Sequence, residues 1–262
     1  MKNELTLFLT AIQFFTRLPV PRWVGHSSAQ LNAASRYFPL VGCLVGSICA
    51  AVLFATGKLF PTTIAVALSI TAGVMATGAF HEDGLADSCD GFGGGWEKPQ
   101  VLAIMKDSRL GTYGAIGLGL VLALKFLALC ALPLTIALGV IIAAHGFSRF
   151  LAVTVIFTQF YVRDDDSAKA KPAAQSISAS GILFAAFFGL VPVAALAFLP
   201  PFTVLSLVLI VTSCAVMRAA LGRYFIKRIG GYTGDCLGMM QQVCEVVFYL
   251  GAVAATNIAT NA

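Results

Sequence analysis

The stretch GAIGLGLVLALKFLALCALPLTIALGVIIAAHGFSRFLAVTVIF, residues 114–157, decides the fold class. Apart from small residues, only Lys125, His145 and Arg149 interrupt its apolar character, and a proline turn, ALPLT, lies near its middle. A helix that crosses a bilayer needs about 20 mostly apolar residues, and each half of the stretch has that length. The stretch therefore predicts two membrane-spanning helices joined by a tight turn.

The composition of the whole chain agrees with this prediction. Of its 262 residues, 58% are hydrophobic and only 11% are charged, and the mean hydropathy is +0.88. An average soluble domain has roughly a quarter charged residues. A soluble helical fold is disfavoured because these runs leave no face for water. The chain is therefore predicted to be one all-α, polytopic integral membrane domain over residues 1–262.

Seven apolar runs are candidate spans. They cover residues 37–57, 62–80, 114–132, 134–157, 180–199, 202–222 and 243–260. Before them, apolar residues recur at helical spacing from Leu5 to Phe15, without a cleavage site for a signal peptide. This pattern predicts an N-terminal helix that is amphipathic or partly inserted.

The connections between the spans alternate in length, which gives the orientation. GKLFPT, ALPLT and LPPFT are short, whereas 81–113, 158–179 and 223–242 are long, polar and rich in Lys and Arg. Positive charge concentrates on cytoplasmic loops. The long loops are therefore predicted to face the cytoplasm. The net charge of +5 reflects these loops, and nucleic acid is not expected as a partner because no basic run interleaves with aromatics.

The first candidate site is the acidic stretch FHEDGLADSCDGFGGG, residues 80–95. Read as a helix that continues from the second span, it places Asp83, Asp87 and Asp90 on one face, with Glu82 beside them. Like charges on one face need a cation, and carboxylates that meet a substrate phosphate are typical of Mg²⁺ sites. The alternative is a polar helix end that leaves the membrane.

The second candidate is IMKDSRLGTYG, residues 104–114. Lys106 and Arg109 suit phosphate, while Asp107 either orients Arg109 or joins the metal. A basic loop that anchors a helix end has the same pattern. The neighbouring loop RDDDSAKAKPAAQ, 163–175, is predicted to be solvated and not to bind metal, because its adjacent acids lack helical spacing.

The third candidate is RIGGYTGDCLGMMQQVCEVV, residues 228–247. Its glycine-rich turn enters a helix at Gly234 and Asp235, a favourable place for an anion. Asp235, Gln242 and Glu245 share one helical face. Glu245, read as the start of the last span, is costly there unless it has a partner or a task.

Three cations and a histidine complete the candidates. Arg36 precedes the first span, and His145 and Arg149 lie one turn apart at the predicted cytoplasmic end of the fourth. His145 is either a base or a phosphate ligand, or else structural. Lys125, inside the third span, either has a functional partner or snorkels to the bundle edge.

All the clusters fall on one predicted membrane face, which indicates Mg²⁺-assisted phosphoryl or diphosphate chemistry. The predicted substrate-binding residues are Arg36, Lys106, Arg109, Arg149, Gly234, Asp235, Gln242 and Glu245.

Four stretches, FHEDGLADSCDGFGGG, IMKDSRLGTYG, RYFPLVG and GGYTGDCLGMMQQVCE, together resemble the cobalamin synthase (adenosylcobinamide-GDP ribazoletransferase) family, from about residue 5 to 255. The resemblance implies a Mg²⁺-dependent membrane enzyme that joins adenosylcobinamide-GDP to α-ribazole or its 5′-phosphate and releases GMP. Membrane lipid, further copies of the chain and other cobalamin-assembly enzymes are the implied partners. The resemblance assigns the following residues to the metal and diphosphate: Glu82, Asp83, Asp87, Asp90 and Asp235. One of these acids, or His145, would take the proton of the attacking hydroxyl.

Three alternatives differ in substrate. CDP-alcohol phosphotransferases also carry a DG..A motif, but Asp87 stands where that family has Arg. Intramembrane prenyltransferases also hold a metal and a diphosphate with aspartate clusters. A transporter is disfavoured because the acids lie at predicted span ends and no internal repeat is evident.

Overall fold

A computed structural model of the protein describes residues 2–25, 27–162 and 174–261. The described part is built from α-helices, with two short 3₁₀ turns and no β-strand, which confirms the predicted all-α class. The helices are α1 (Lys2–Phe15), α2 (Ser28–Ala34), α3 (Phe38–Thr56), α4 (Thr62–Thr77), α5 (Phe80–Gly94), α6 (Lys98–Lys106), α7 (Thr112–Cys130), α8 (Leu134–Thr158), α9 (Ala179–Ala195), α10 (Val204–Ile229) and α11 (Gly234–Asn261).

Six segments of the described chain are long and apolar enough to cross a membrane, and the number rises to seven if the bent pair of α4 and α5 is one broken span. They are Ser28–Thr56, Thr112–Cys130, Leu134–Thr158, Ala179–Phe198, Val204–Ile229, Gly234–Ala259 and the pair α4 and α5. Each predicted span falls on one of these segments. The predicted polytopic bundle is therefore confirmed.

The acidic stretch does not continue helix α4 as one straight helix, and this prediction was wrong. The axes of α4 and α5 differ by 88°, because Gly78 and Ala79 both adopt the left-handed conformation, with φ of 64° and 58°. Their N–H groups bond back to the carbonyls of Met75 and Val74 in α4, which closes that helix. Helix α5 restarts at Phe80, so the shared face of its aspartates is retained.

The last helix reaches further than the sequence predicted, since it begins at Gly234 and not near residue 243. The fourth span, Leu134–Thr158, has the predicted bounds to within one residue. Glu245 therefore lies roughly 16 Å along the axis from the start of α11, and His145 lies about as far from the start of α8. Both residues occupy the middle of a helix, which corrects their predicted places at span ends.

Helix α8 packs closely against α3. A Cβ atom on Gly42 would lie 2.3 Å from the carbonyl oxygen of His145, and one on Gly46 would lie 2.9 Å from the Cα atom of Ile142. Only glycine allows this approach, and it fixes the position of His145 in the bundle.

The N-terminal helix α1 is also part of the packed structure. Leu7, Ala11, Ile12 and Phe15 are buried along one side of it, while Leu5 is exposed. The predicted amphipathic helix is confirmed, and α1 is shorter than the segments that could cross a membrane. Most of the loop predicted to be solvated, 163–175, lies outside the described residues.

Candidate functional site

The three aspartates on the shared face of α5 differ in accessibility. Asp83 is exposed, Asp87 is half-buried and Asp90 is buried. Asp83 lines a wide groove formed with α1, α2 and the joint between α4 and α5. The accessible carboxylates of this face are therefore at the end nearest that joint.

The buried end of the face holds the start of α7. One oxygen of Asp90 accepts the backbone N–H of Gly111 at 2.7 Å, and the other accepts that of Gly114 at 2.8 Å. A Cβ on Gly114 would lie 2.3 Å from Asp90, so the contact depends on glycine there. Asp90 thus satisfies N–H groups at a helix N-terminus, and it fixes the loop that carries the candidate phosphate-binding cations.

Helices α5 and α11 meet through two glycines. A Cβ on Gly84 would lie 3.1 Å from the Cα atom and the carbonyl oxygen of Asp235, and one on Gly238 would lie 3.0 Å from the carbonyl oxygen of His81. Asp83 directly precedes Gly84, so the acidic stretch and the start of α11 are neighbours in space. The predicted association of these two motifs is observed.

We expect Gly84→Val to weaken both folding and activity, because its branched side chain would push α5 away from α11. The expected loss is about 1–3 kcal/mol of stability, as for other overpacked contacts. Gly119→Val is the matched control, since a Cβ on Gly119 in α7 meets nothing within 4 Å. Thermal unfolding in detergent measures the effect, and equal stability of the two variants would contradict the close helix contact.

A buried ion pair joins α7 to α11. The Nζ atom of Lys125 lies 2.7 Å from Oε1 of Glu245, and both side chains are almost fully buried. Tyr249 donates to the same oxygen at 3.3 Å, and His145 Nε2 lies 3.6 Å from it. Gln241 donates to the other oxygen. Lys125 therefore has a partner and does not snorkel. The same ion pair compensates the free-energy cost of burying the charge of Glu245.

A second set of polar contacts continues from this pair towards α5. Gln242 Nε2 donates to Oε1 of Glu82 at 2.9 Å. Arg149, which is also buried, donates to the backbone carbonyl of His145 at 3.0 Å. All four residues line a single polar cavity together with Glu245. These residues therefore face the bundle interior and not solvent, and the prediction that every cluster lies on one face of the membrane stays a prediction.

Two other predicted cations are bound by neighbouring acids. Arg36 forms an ion pair with Glu4 of α1 at 2.6 Å, and that carboxylate also accepts the hydroxyl of Tyr37. Arg109 contacts Asp107 at 2.5 Å and lowers the pKa of that carboxyl to about 2 by hydrogen bonding. Of the two roles left open for Asp107, the structure has the one that orients Arg109.

Arg109 and Lys106 both reach solvent, at the loop that Asp90 holds. Arg36, in contrast, is held on the α1 side of the molecule by Glu4. The structure therefore does not place Arg36 in contact with the acidic face.

The donor set fits Mg²⁺ in an open site. Among the described residues, no group of three or more His, Cys, Asp or Glu side chains is arranged to hold a metal ion. Mg²⁺ typically binds one or two carboxylates, keeps several waters and takes its remaining ligands from substrate phosphates. Asp83 and Asp87, one helical turn apart and accessible, match that requirement. Both oxygens of Asp90 accept hydrogen bonds from backbone N–H groups. One oxygen of Glu82 accepts a hydrogen bond from Gln242.

The buried polar residues around the Lys125–Glu245 pair, with Glu82, His145, Arg149 and Gln242, form an interior cluster. Sequence reasoning missed several further members of it. Gln241, Tyr249, Ser148 and His81 were not singled out, yet each contacts the cluster or lines its cavity. The spacing of Tyr249, four residues after Glu245, was the available signal, because that spacing makes neighbours on a helix.

Comparison with known proteins gives a consistent family. The family model described as Cobalamin-5-phosphate synthase matches residues 7–253. A relative from Shewanella frigidimarina (strain NCIMB 400), named adenosylcobinamide-GDP ribazoletransferase, is 49% identical over 255 residues, covering 96% of this chain and 95% of that protein. A relative of the same name from Shewanella baltica (strain OS155 / ATCC BAA-1091) is 45% identical over 259 residues, covering 98% of this chain and 97% of that protein. No solved structure matches the chain.

Proposed function

Because the chain belongs to the cobalamin-5-phosphate synthase family, we propose that it transfers the cobinamide phosphate of adenosylcobinamide-GDP to α-ribazole, or to its 5′-phosphate, and releases GMP. This reaction is the nucleotide-loop assembly step of cobalamin synthesis. The observation that supports a single transfer site is the contact of Gly84 with Asp235. It joins the two most specific motifs of the sequence at the accessible end of the acidic face.

In this proposal, Asp83 and Asp87 hold Mg²⁺, with Asp235 at the neighbouring start of α11. When bound, Mg²⁺ neutralises charge on the diphosphate and on the departing GMP. The N-terminus of α11 at Gly234 favours an anion through its N–H groups and its dipole. Glu245 and Gln242 lie in the bundle interior and do not contact the metal.

The basic loop after α6 holds the phosphates. Arg109 presents its guanidinium to solvent with Asp107 behind it, and Lys106 adds a second cation at the end of α6. Asp90 keeps this loop next to the acidic face through its bonds to Gly111 and Gly114. A ribose hydroxyl of α-ribazole attacks the phosphorus that bears the cobinamide, the bond between that phosphorus and the oxygen of the GMP phosphate breaks, and GMP leaves. The proton of the hydroxyl passes to one of the acids of this face or to His145.

The site is proposed to face the cytoplasm from the inner membrane. The supporting observation is the excess of Lys and Arg in the long loops, which follows the positive-inside rule. Association with further copies of the chain, or with other cobalamin-assembly enzymes, stays a prediction.

We expect GMP release by the detergent-purified protein to require Mg²⁺. EDTA should lower the rate to background, and excess Mg²⁺ should restore it, because the open carboxylate pair needs a cation to bind the diphosphate. The assay supplies both substrates and measures GMP by chromatography. Full activity in EDTA after exhaustive dialysis would refute the metal assignment.

A further inference from the structure

The groove at the Asp83 end of the acidic face is large enough for a nucleotide. Its volume is about 770 Å³, and pockets that bind small ligands typically measure about 300–1,000 Å³. Helices α1 and α2 form one side of it, and the joint between α4 and α5 forms the other. The polar cavity around Glu245, at about 30 Å³, has room only for a few water molecules. A substrate beside Asp83 can therefore bind in the groove and not in the bundle interior.

Arg17 supplies a positive charge to the groove. Its backbone N–H donates to the carbonyl oxygen of Ala76, near the end of α4, at 2.8 Å. A Cβ on Gly78 would collide with Arg17 Nε, so the side chain packs directly against the joint. Arg17 is exposed, and no carboxylate among the described residues forms an ion pair with it. Its guanidinium is therefore held in the groove wall and accessible to an anion.

The other walls of the groove suit a nucleoside. The rings of Phe14 and Phe80 line it and pack edge-on, with centroids 5.1 Å apart. Aromatic side chains bind flat ring systems through stacking and edge contacts. Hydroxyl and amide side chains, which hydrogen-bond to the hydroxyls of a sugar, line much of the rest: Thr10, Gln13, Ser27 and Ser28. The groove thus combines an aromatic surface, polar side chains and a cation.

The direction of attack favours the acceptor as the occupant of the groove. In phosphoryl transfer, the attacking and leaving oxygens lie roughly in line, on opposite sides of the phosphorus. The acidic face extends for roughly 10 Å along α5 from Asp83 to Asp90, and Asp90 holds the basic loop through its bonds to Gly111 and Gly114. In the proposed function, that loop binds the phosphates of the departing GMP. The attacking hydroxyl then comes from the opposite end of the face, where the groove lies.

We propose that the acceptor binds in this groove as α-ribazole 5′-phosphate and that Arg17 binds its phosphate. The proposal rests on the proposed function and deepens it, because it assigns the subsite of the acceptor and a residue that determines specificity. A guanidinium matches a phosphate group through paired, charge-assisted hydrogen bonds. Arg17 therefore favours the phosphorylated acceptor over the free nucleoside, while Phe14, Phe80 and the polar side chains of the groove contact the part that both acceptors share.

The experiment measures the binding of α-ribazole 5′-phosphate, and separately of α-ribazole, to the full chain in lipid nanodiscs by calorimetry. Wild-type protein should bind the phosphorylated acceptor about tenfold or more tightly than the nucleoside, as a charged hydrogen bond provides. Arg17→Met should abolish this preference and leave the affinity for α-ribazole within about twofold. Arg22→Met is the matched control, since Arg22 is also exposed but does not line the groove. It should change neither affinity.

Equal affinity of the wild type for the two acceptors would overturn the proposal. An equal loss for both acceptors in Arg17→Met would also overturn it, because that result is expected if Arg17 only stabilises the end of α4. If this variant does not fold, labelling of wild-type arginines with phenylglyoxal decides. Protection of Arg17, and not of Arg22, by α-ribazole 5′-phosphate supports the proposal, and labelling of Arg17 that this ligand does not change refutes it.

GMP release by the same preparation separates this proposal from the proposed function. The expected binding pattern without GMP release from adenosylcobinamide-GDP would refute the proposed function and retain the binding site. GMP release by a protein whose acceptor preference does not depend on Arg17 would refute the binding site alone.

Discussion

Asp83→Asn is expected to reduce GMP release by at least about 100-fold, because the substitution removes a negative oxygen ligand from the metal and diphosphate site. Asp83 is exposed on a regular helix, so the variant should fold normally. The measurement is the initial rate of GMP formation at saturating substrates, with size-exclusion and thermal unfolding profiles as checks of the fold.

Glu97→Gln is the matched control for Asp83→Asn. Glu97 is exposed just after α5, and its side chain does not cap α6, so this charge removal should leave the rate unchanged. Raised Mg²⁺ should partly rescue Asp83→Asn, since a weakened site fills at higher metal concentration. A folded Asp83→Asn protein with wild-type activity would show that Asp83 is not part of the site.

Lys125→Met is expected to cause the largest loss of stability. Glu245 would keep a buried negative charge without its nearest cation, and removal of one partner from a buried ion pair typically costs about 3–5 kcal/mol. In a chain of this size, such a loss corresponds to a fall of about 10 °C in Tm. Thermal unfolding in detergent, followed by fluorescence or circular dichroism, measures the shift.

The double variant Lys125→Met with Glu245→Gln separates charge from packing. It should recover much of the lost Tm, because neither charge is then left uncompensated. Lys227→Met controls for the loss of an exposed lysine and should have little effect. A Tm for Lys125→Met equal to that of Lys227→Met would contradict the buried pair.

The apolar runs made the fold class and the places of the long apolar helices predictable. Spans such as Thr112–Cys130 are long enough to cross the bilayer and carry little charge, and in lipid such a run has no alternative to the helix. The shared face of Asp83, Asp87 and Asp90 was also predictable, because it depends only on helical periodicity. Their chemistry followed from residue type.

The break between α4 and α5 was not predictable in the same way. Gly78 adopts positive φ readily, but Ala79 does so only because the packed structure imposes it. The burial of Glu245 and His145 in the middle of their helices was also not predicted. Polar residues lower the hydropathy of α11, and the compensating partner, Lys125, is distant in sequence. Pairings of this kind are decided by helix packing, which one sequence does not reveal.

Transfer between the two substrates can be tested directly. Purified wild-type protein in nanodiscs is incubated with Mg²⁺, adenosylcobinamide-GDP and α-ribazole. Mass spectrometry then identifies both products. We expect GMP and a corrinoid joined to α-ribazole in equal amounts. Separate reactions with a CDP-activated alcohol and with a prenyl diphosphate should give no transfer. Well-folded protein that ignores the corrinoid and transfers one of these other donors would contradict the account.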